Sequence, residues 1–442
     1  MNWSQILDDI PLTAEESIVK QLFVEPLLEA LGFGQKERYP EFKTGKGGDS
    51  VDFAARKNTD GDVFLSSKTN PYVLVEIKGR NINLAEGTSQ YLSTKAQLQK
   101  YLLAPNCKTV QWGIITNSTH IQLFRRHGKV VVPATPSELI KRNNIDSIIS
   151  RIRSLIENPP RALTICVYNN KGGVGKTTTA LNLAAIFRKR DKKVLLVDFD
   201  SQADLTRSLK SASGKVCLSD CLKDTKLDIR DAVVPFIYTN RSGKSGHLFD
   251  IIPADPKMEE FNENIKQIEK TVKRLRELIQ AFTNEYDYIL IDCPTQWLFF
   301  SQSSIHAADV VLIPTKHNGL NSLHNAARVI RNFIPSIKEI REDGGPIALP
   351  IFFNGEKVTD PALVTANTEI KKILTEAKQE GFDLMPYFYP KAKKGNIDIT
   401  VYKIPGYATV ANATFSHIPA AFIHATVAEH YLGLAKEYFL HE

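Results

Sequence analysis

Two groups of residues in this chain have types and spacings suited to chemistry. The first is Lys171-Gly172-Gly173-Val174-Gly175-Lys176-Thr177-Thr178. Its glycines let successive backbone N–H groups turn toward a polyphosphate, and a following helix adds the positive end of its dipole. Lys176 supplies a point charge, and the Thr177 hydroxyl can ligate Mg²⁺. A merely flexible glycine turn would need no special surroundings, yet an apolar run, Leu163 to Val167, leads in and a helical pattern, Thr179 to Phe187, leads out. The second group is Asp52 followed by Glu76-Ile77-Lys78. Two carboxylates to hold Mg²⁺, with a lysine to lower the pKa of water or steady a pentavalent phosphate, are what a metal-dependent phosphodiesterase needs. On an exposed strand Glu-x-Lys is ordinarily a solvated charge pair, but here the run before Glu76 is apolar throughout.

Three more acids close apolar runs behind the glycine-rich loop: Asp198 and Asp200 after Val194–Val197, and Asp292 after Tyr288–Ile291. Ligands of parallel sheets gather at the C-terminal ends of strands. Asp292 is therefore placed to hold Mg²⁺ through water, and Asp198 and Asp200 to orient the metal shell and an attacking water.

The elements that must position these groups are readable in outline. An amphipathic helix is expected over residues 13–31, with Thr13 as cap and Gly32 as stop. Strands are expected at 50–56 and 71–79, a helix from Thr88 to Leu103, and a strand pair at 111–116 and 120–125. An amphipathic helix around Ile145 to Ile156 precedes Pro159-Pro160, where we place a domain boundary. From 161 onward strands and helices alternate, as in a doubly wound parallel sheet. Residues 211–260 are less legible, with Gly243 and Gly246 expected in a surface loop. A basic helix is expected at about 259–282, strands at 286–292, 310–314 and 347–354, and a closing helix from Ala425 to Phe439.

Composition sets the bounds. A chain of 442 residues exceeds one ordinary core, so two or three domains are expected. With 43% hydrophobic and 24% charged residues it is neither disordered nor fibrous. No apolar run reaches membrane-spanning length, and the N-terminus lacks the blocks of a signal peptide, so a cytoplasmic protein with no membrane partner is expected. Five scattered cysteines do not make a disulfide framework, and Cys217 and Cys221 have no His or Cys near them to complete a metal site. A net charge of +7 hints at an acidic partner such as nucleic acid.

Lys171 ahead of the glycines, Asp198-Phe199-Asp200-Ser201-Gln202, Asp292-Cys293-Pro294 and Tyr431-Leu432-Gly433-Leu434-Ala435-Lys436-Glu437 together resemble the ParA/MinD family of deviant Walker-type ATPases over about residues 161–440. The resemblance implies ATP and Mg²⁺ as cofactors and an ATP-dependent sandwich homodimer. In it Lys171 reaches phosphates held by the other protomer, Asp200 positions water, and hydrolysis dissolves the dimer. A lysine delivered in trans would neutralise transition-state charge as an arginine finger does. Asn354 is similar to the family's adenine-reading asparagine. Ser201 and Thr295 stand where members usually carry proline. Such dimers bind DNA without sequence preference, which points to Lys391, Lys393 and Lys394, to a nucleoid-associated protein and to a ParB-like activating partner.

The second group also sits in familiar surroundings. Asp52, Glu76 and Lys78, with Glu16 ahead of Glu25-Pro26-Leu27-Leu28-Glu29, and Gln97 with Tyr101 one turn on, resemble the PD-(D/E)xK fold. More narrowly, residues 12–130 are similar to the N-terminal nuclease domain of type I restriction-enzyme motor subunits. No proline precedes Asp52, and Asp49 competes with it as the first acid. The expected fold class is α/β: a PD-(D/E)xK restriction-endonuclease-like domain (1–130), a helical linker (131–160), and a P-loop NTPase domain with a mostly parallel doubly wound sheet (161–442). The expected function is a DNA-associated, partition-like ATPase carrying a Mg²⁺-dependent nuclease domain. The alternatives are a defence or plasmid-maintenance nuclease licensed by the ATPase, and a nucleotide-switched scaffold whose nuclease fold is inactive.

Overall fold

The computed structural model describes residues 1–239, 243, 245–262, 272–355, 359–392, 398–406 and 417–441. Contacts divide the chain between Pro159 and Pro160, with 342–345 and His441 counted in the first unit.

The first unit is built on a sheet of seven strands: β1 (Arg38–Lys43), β2 (Ser50–Ala55), β3 (Val73–Ile77), β4 (Trp112–Thr116), β5 (His120–His127), β6 (Val130–Pro133) and β7 (Glu138–Leu139). The order is β1-β2-β3-β4-β5-β6, with β7 beside β5. Only β3 and β4 pair in parallel, and the helix Ser89–Leu102, capped by Thr88, makes the crossover between them. Helices cover both faces. On one, Phe23, Leu27 and Leu28 pack with Val73, Val75, Ile77 and Trp112, and with Ile148 and Ile152. On the other, Tyr91, Leu98 and Leu102 pack with Leu74 and Ile115.

Two expectations change. Residues 131–160 are not a linker: they supply β6, β7 and the helix Ile145–Glu157, whose isoleucine stripe is buried in this unit's core. The first long helix runs Glu16–Val19 and Glu25–Ala30 with a π-helical turn, Lys20–Val24, between them.

The second unit carries β8 (Leu163–Val167), β9 (Val194–Asp198), β10 (Val234–Thr239), β11 (Ser245–Ile252), β12 (Tyr288–Asp292), β13 (Val310–Leu312), β14 (Pro314–Thr315), β15 (Ile347–Ala348), β16 (Phe352–Asn354) and β17 (Tyr402–Ile404). Its main sheet has the order β10-β11-β9-β12-β8-β13-β15, parallel except for the β10/β11 hairpin. A short parallel sheet, β14-β16-β17, continues beyond it. Every residue of β8, β9 and β12 is buried, which is why these strands read as unbroken apolar runs.

The less legible stretch 211–260 holds the helix Leu218–Lys223 and that hairpin, and Gly246, expected in a surface loop, lies inside β11. The strands expected at 310–314 and 347–354 are each split between the two sheets. Of the basic helix expected at 259–282, the described residues show a 3₁₀ turn, Pro256–Asn262, and a helix, Arg274–Gln280; residues 263–271 lie outside them. The closing helix is Ala425–Tyr438. Among the described residues no helix is long and apolar enough to cross a membrane.

Candidate functional site

In the first unit, β2 and β3 lie side by side in antiparallel register, Phe53 opposite Val75. This brings Asp52 to the end of β3, where its Oδ2 accepts the Ile77 N–H at 2.6 Å. Glu76 is buried, and Lys78 Nζ lies 2.5 Å from its Oε1 and 3.8 Å from Glu16 Oε2. Burial pushes Glu76 up to about 7, reinforced by the charge of Asp52 and opposed by Lys78. Asp52 is raised to about 6 by burial, with the Ile77 amide working against the shift. Burial alone would lower Lys78, but Glu76, Glu16 and Asp52 outweigh it and hold its pKa above the ordinary lysine value.

Glu16, Asp52, Glu76 and Lys78 therefore come together. Gln97 Nε2 donates to Tyr101 Oη at 2.9 Å across one helical turn, so these two engage each other. Asp49, the competing acid, is drawn away into an ion pair with Lys100 at 2.5 Å. One participant was not foreseen. Glu41 lies in β1 between Pro40, opposite Phe53, and Phe42, opposite Val51, with φ 50°, and its charge acts on Asp52 while its carboxylate pairs with Lys20 at 2.6 Å. Nothing in its local sequence marks it. The neighbouring acids Asp52 and Glu76 suit a divalent cation, whose charge would relieve their mutual repulsion. Among the described residues no three His, Cys, Asp or Glu side chains are grouped to hold a metal unaided. Mg²⁺ is commonly held by one or two carboxylates, with water and substrate phosphate completing its shell, and Asp52 with Glu76 fits that pattern.

In the second unit β8 sits between β12 and β13 and runs into the glycine-rich loop. Gly175, at φ 82°, precedes the helix Lys176–Lys189, and a Cβ there would run into the Asn354 amide nitrogen. A cavity of about 470 Å³ opens beside the loop, lined by Gly172, Gly173, Gly175, Lys176, Thr177, Thr178 and Asp200, and by Ser201, Pro294 and Thr295. Asp292 lies beneath, hydrogen-bonded to the Thr177 side chain. Burial and the nearby Asp198 push Asp292 up to about 8, and its Oδ1 has no hydrogen-bond partner. A buried carboxylate with a vacant oxygen beside a threonine hydroxyl fits a Mg²⁺ shell completed by phosphates and water.

The other acids divide the work. Asp198 is committed elsewhere: Oδ2 accepts both the N–H and the hydroxyl of Thr206, at 2.8 and 2.7 Å, and Oδ1 accepts the Asp200 N–H at 3.3 Å. It anchors the turn after β9 and does not line the cavity. Asp200 does, and burial raises its pKa. Lys171 is exposed and makes no hydrogen bond or ion pair with the described residues. Two side chains that were not foreseen brace its approach: Asn325 Nδ2 donates to Asn170 O at 2.8 Å, and Asn169 Nδ2 donates to Pro314 O at 2.8 Å.

A second cavity of about 290 Å³ lies on the other side of the loop, walled by Lys316, Asn354, Ile404, Pro405, Val427, His430 and Tyr431. Most of these residues come from β17 and the closing helix, so only the sheet order reveals them. Of the expected DNA-binding lysines, Lys391 pairs with Glu437 at 3.2 Å, and Lys393 and Lys394 lie outside the described residues.

Residues 162–343 match the family model described as an AAA domain, and residues 15–132 match that of the type I restriction enzyme R protein N terminus. The chain is 34% identical over 178 residues to the sporulation initiation inhibitor protein Soj of Bacillus subtilis, covering 38% of this chain and 66% of that protein. It is 31% identical over 183 residues to an uncharacterized protein of Pseudomonas putida, covering 40% and 67%. It is 34% identical over 150 residues to the chromosome partitioning protein ParA of Myxococcus xanthus, covering 34% and 50%. The C-terminal unit is similar to ParA and Soj proteins. The chain spans between half and two thirds of the length of these curated relatives of the ParA unit. Among solved structures, an ATP complex of a Cyanothece McdA variant aligns with TM-score 0.48 at 20% identity over 63% of this chain and 96% of that one. The septum site-determining protein MinD of Pyrococcus horikoshii with Mg-ADP aligns with TM-score 0.44 at 21% identity over 62% and 95%. Ahead of the ParA-type unit stands a domain of the restriction-enzyme R N-terminal type.

Proposed function

We propose that the ParA-type unit binds and hydrolyses Mg-ATP in an ATP-dependent homodimer, and that the N-terminal unit is a Mg²⁺-dependent DNA nuclease whose contact with DNA that switch controls. The observation that carries the first part is the convergence of Lys176, Thr177 and Asp200 on one cavity, with Asp292 and its vacant oxygen beneath Thr177. Backbone N–H groups of the loop and Lys176 hold the phosphates, and Asp200 orients the attacking water. Mg²⁺, when bound beside Thr177 and Asp292, supplies charge stabilisation to the phosphoryl group. The exposed Lys171 reaches the partner's phosphates. In the N-terminal unit, Asp52 and Glu76 hold the cation, and Lys78 stabilises the charge developing on the phosphodiester. DNA is held mostly through its phosphates by Lys391, Lys393 and Lys394, which makes the protein nucleoid-associated, and a ParB-like partner stimulates turnover.

The test is supercoiled plasmid with Mg²⁺ or Mn²⁺, with and without ATP, beside Lys78→Ala and Lys176→Ala. Nicking lost only in Lys78→Ala supports nuclease chemistry independent of nucleotide. Loss in both supports a nuclease licensed by ATP. Intact plasmid in every lane overturns the nuclease assignment and leaves the N-terminal unit as a binding module.

A further inference from the structure

Asn354 ends β16, and only 5% of it is exposed. Its amide nitrogen is within hydrogen-bonding distance of three acceptors: Val174 O at 2.9 Å, Gly175 O at 3.3 Å and Thr179 Oγ1 at 3.1 Å. An amide has two N–H donors, so all of its donor capacity goes to the phosphate loop and to the first turn of the helix behind it. Little is left for donation to a base. Thr179 is itself buried and hydrogen-bonds the hydroxyl of buried Tyr431, which stands on the closing helix. Gly175 lacks a side chain where one would push this amide aside.

We infer that Asn354, seconded by Thr179 and Tyr431, is a positioning residue: a buried hydrogen-bond latch that holds the carbonyls of Val174 and Gly175 outward so that the loop's N–H groups face the phosphates. A peptide unit is rigid, so fixing a carbonyl on one side fixes the direction of the next residue's N–H on the other. The latch draws on β16, the phosphate-loop helix and the closing helix, three elements far apart in sequence. The base then rests against the apolar wall of the smaller cavity, Ile404, Pro405 and Val427. This rests on the proposed binding of ATP by the loop.

The test is calorimetric titration of ATP and of inorganic tripolyphosphate, a probe with no base, into wild type, Asn354→Ala and Tyr431→Phe, with melting temperatures measured alongside. The expected result is that Asn354→Ala weakens both ligands by the same factor, about tenfold or more, because two buried acceptors lose their donor. Tyr431→Phe, which keeps its ring, gives a smaller loss of the same form and decides the matter should Asn354→Ala not fold. Loss confined to ATP makes Asn354 a base reader and overturns the latch, as does unchanged binding of both ligands or a wild type that ignores tripolyphosphate while binding ATP. A folded wild type that binds neither ligand instead overturns the proposed ATP site.

Discussion

Asp52 Oδ2 accepts the backbone N–H of Ile77 at 2.6 Å, and this one bond fixes the second carboxylate of the N-terminal site beside Glu76. Burial then raises Asp52 to about 6 and Glu76 to about 7. A carboxyl whose folded pKa lies above its unfolded value binds its proton more tightly when folded. The metal-free protein should therefore lose stability as pH climbs from the unfolded carboxylate range, about 4.5, through about 7, by up to about 3 kcal/mol for Glu76. Melting curves in EDTA should show wild type falling relative to Glu76→Gln between pH 5 and 8, with Mg²⁺ restoring wild type alone at pH 8. Parallel pH profiles would show that Glu76 is not strained.

Asp292 is the corresponding group in the ParA-type unit, pushed up to about 8 by burial and by Asp198. Asp292→Asn removes a charge that the metal-free fold does not welcome. Its melting temperature without metal should equal or exceed that of wild type, while Mg²⁺-dependent ATP hydrolysis should fall at least about a hundredfold. A variant that melts lower yet hydrolyses normally would reverse both assignments.

Phe187, on the phosphate-loop helix, stacks on Tyr288 of β12 with centroids 3.8 Å apart, and meets Phe439 edge-on at 5.7 Å. Phe187→Ala should cost about 3–5 kcal/mol. Denaturant unfolding should show the loss in the transition of the ParA-type unit, with the N-terminal unit's transition unmoved.

How far the sequence could be read follows from which contacts are local. The loop Lys171–Thr178, strands β8, β9 and β12 and the Glu76-Ile77-Lys78 strand announce themselves, because glycine spacing and fully buried runs are properties of neighbouring residues. The helix Ile145–Glu157 was legible as a helix but not as part of the N-terminal core, since periodicity says that a face is buried and not against what. Asp198 ends a strand just as Asp292 does, and only the bonds from Thr206, eight residues on, separate an anchor from a metal neighbour. Glu41 became visible through a strand pairing, and the base-side cavity through the order of β16, β17 and the closing helix.

Lys391 is held 3.2 Å from Glu437, so any contact it makes with DNA competes with that pair. Lys391→Ala should reduce the slope of log affinity against log salt by about 0.9 for duplex DNA, the share of one phosphate contact. Glu437→Gln should tighten binding. A slope unchanged by Lys391→Ala removes this lysine from the DNA surface.

Lys171 is exposed and without a partner among the described residues, whereas Asp200 lines its own chain's cavity. If Lys171 serves the partner's nucleotide, each catalytic site of the dimer draws on both chains. Lys171→Ala and Asp200→Ala should each be inactive alone as Mg-ATPases. Mixed in equal amounts, they should recover activity, because one site of the mixed dimer takes Asp200 from the first variant and Lys171 from the second. Steady-state ATP hydrolysis of the mixture is thus the most direct measurement. The dimer-switch account predicts rescue to a sizeable fraction of wild type, and a mixture as inactive as its components would contradict it.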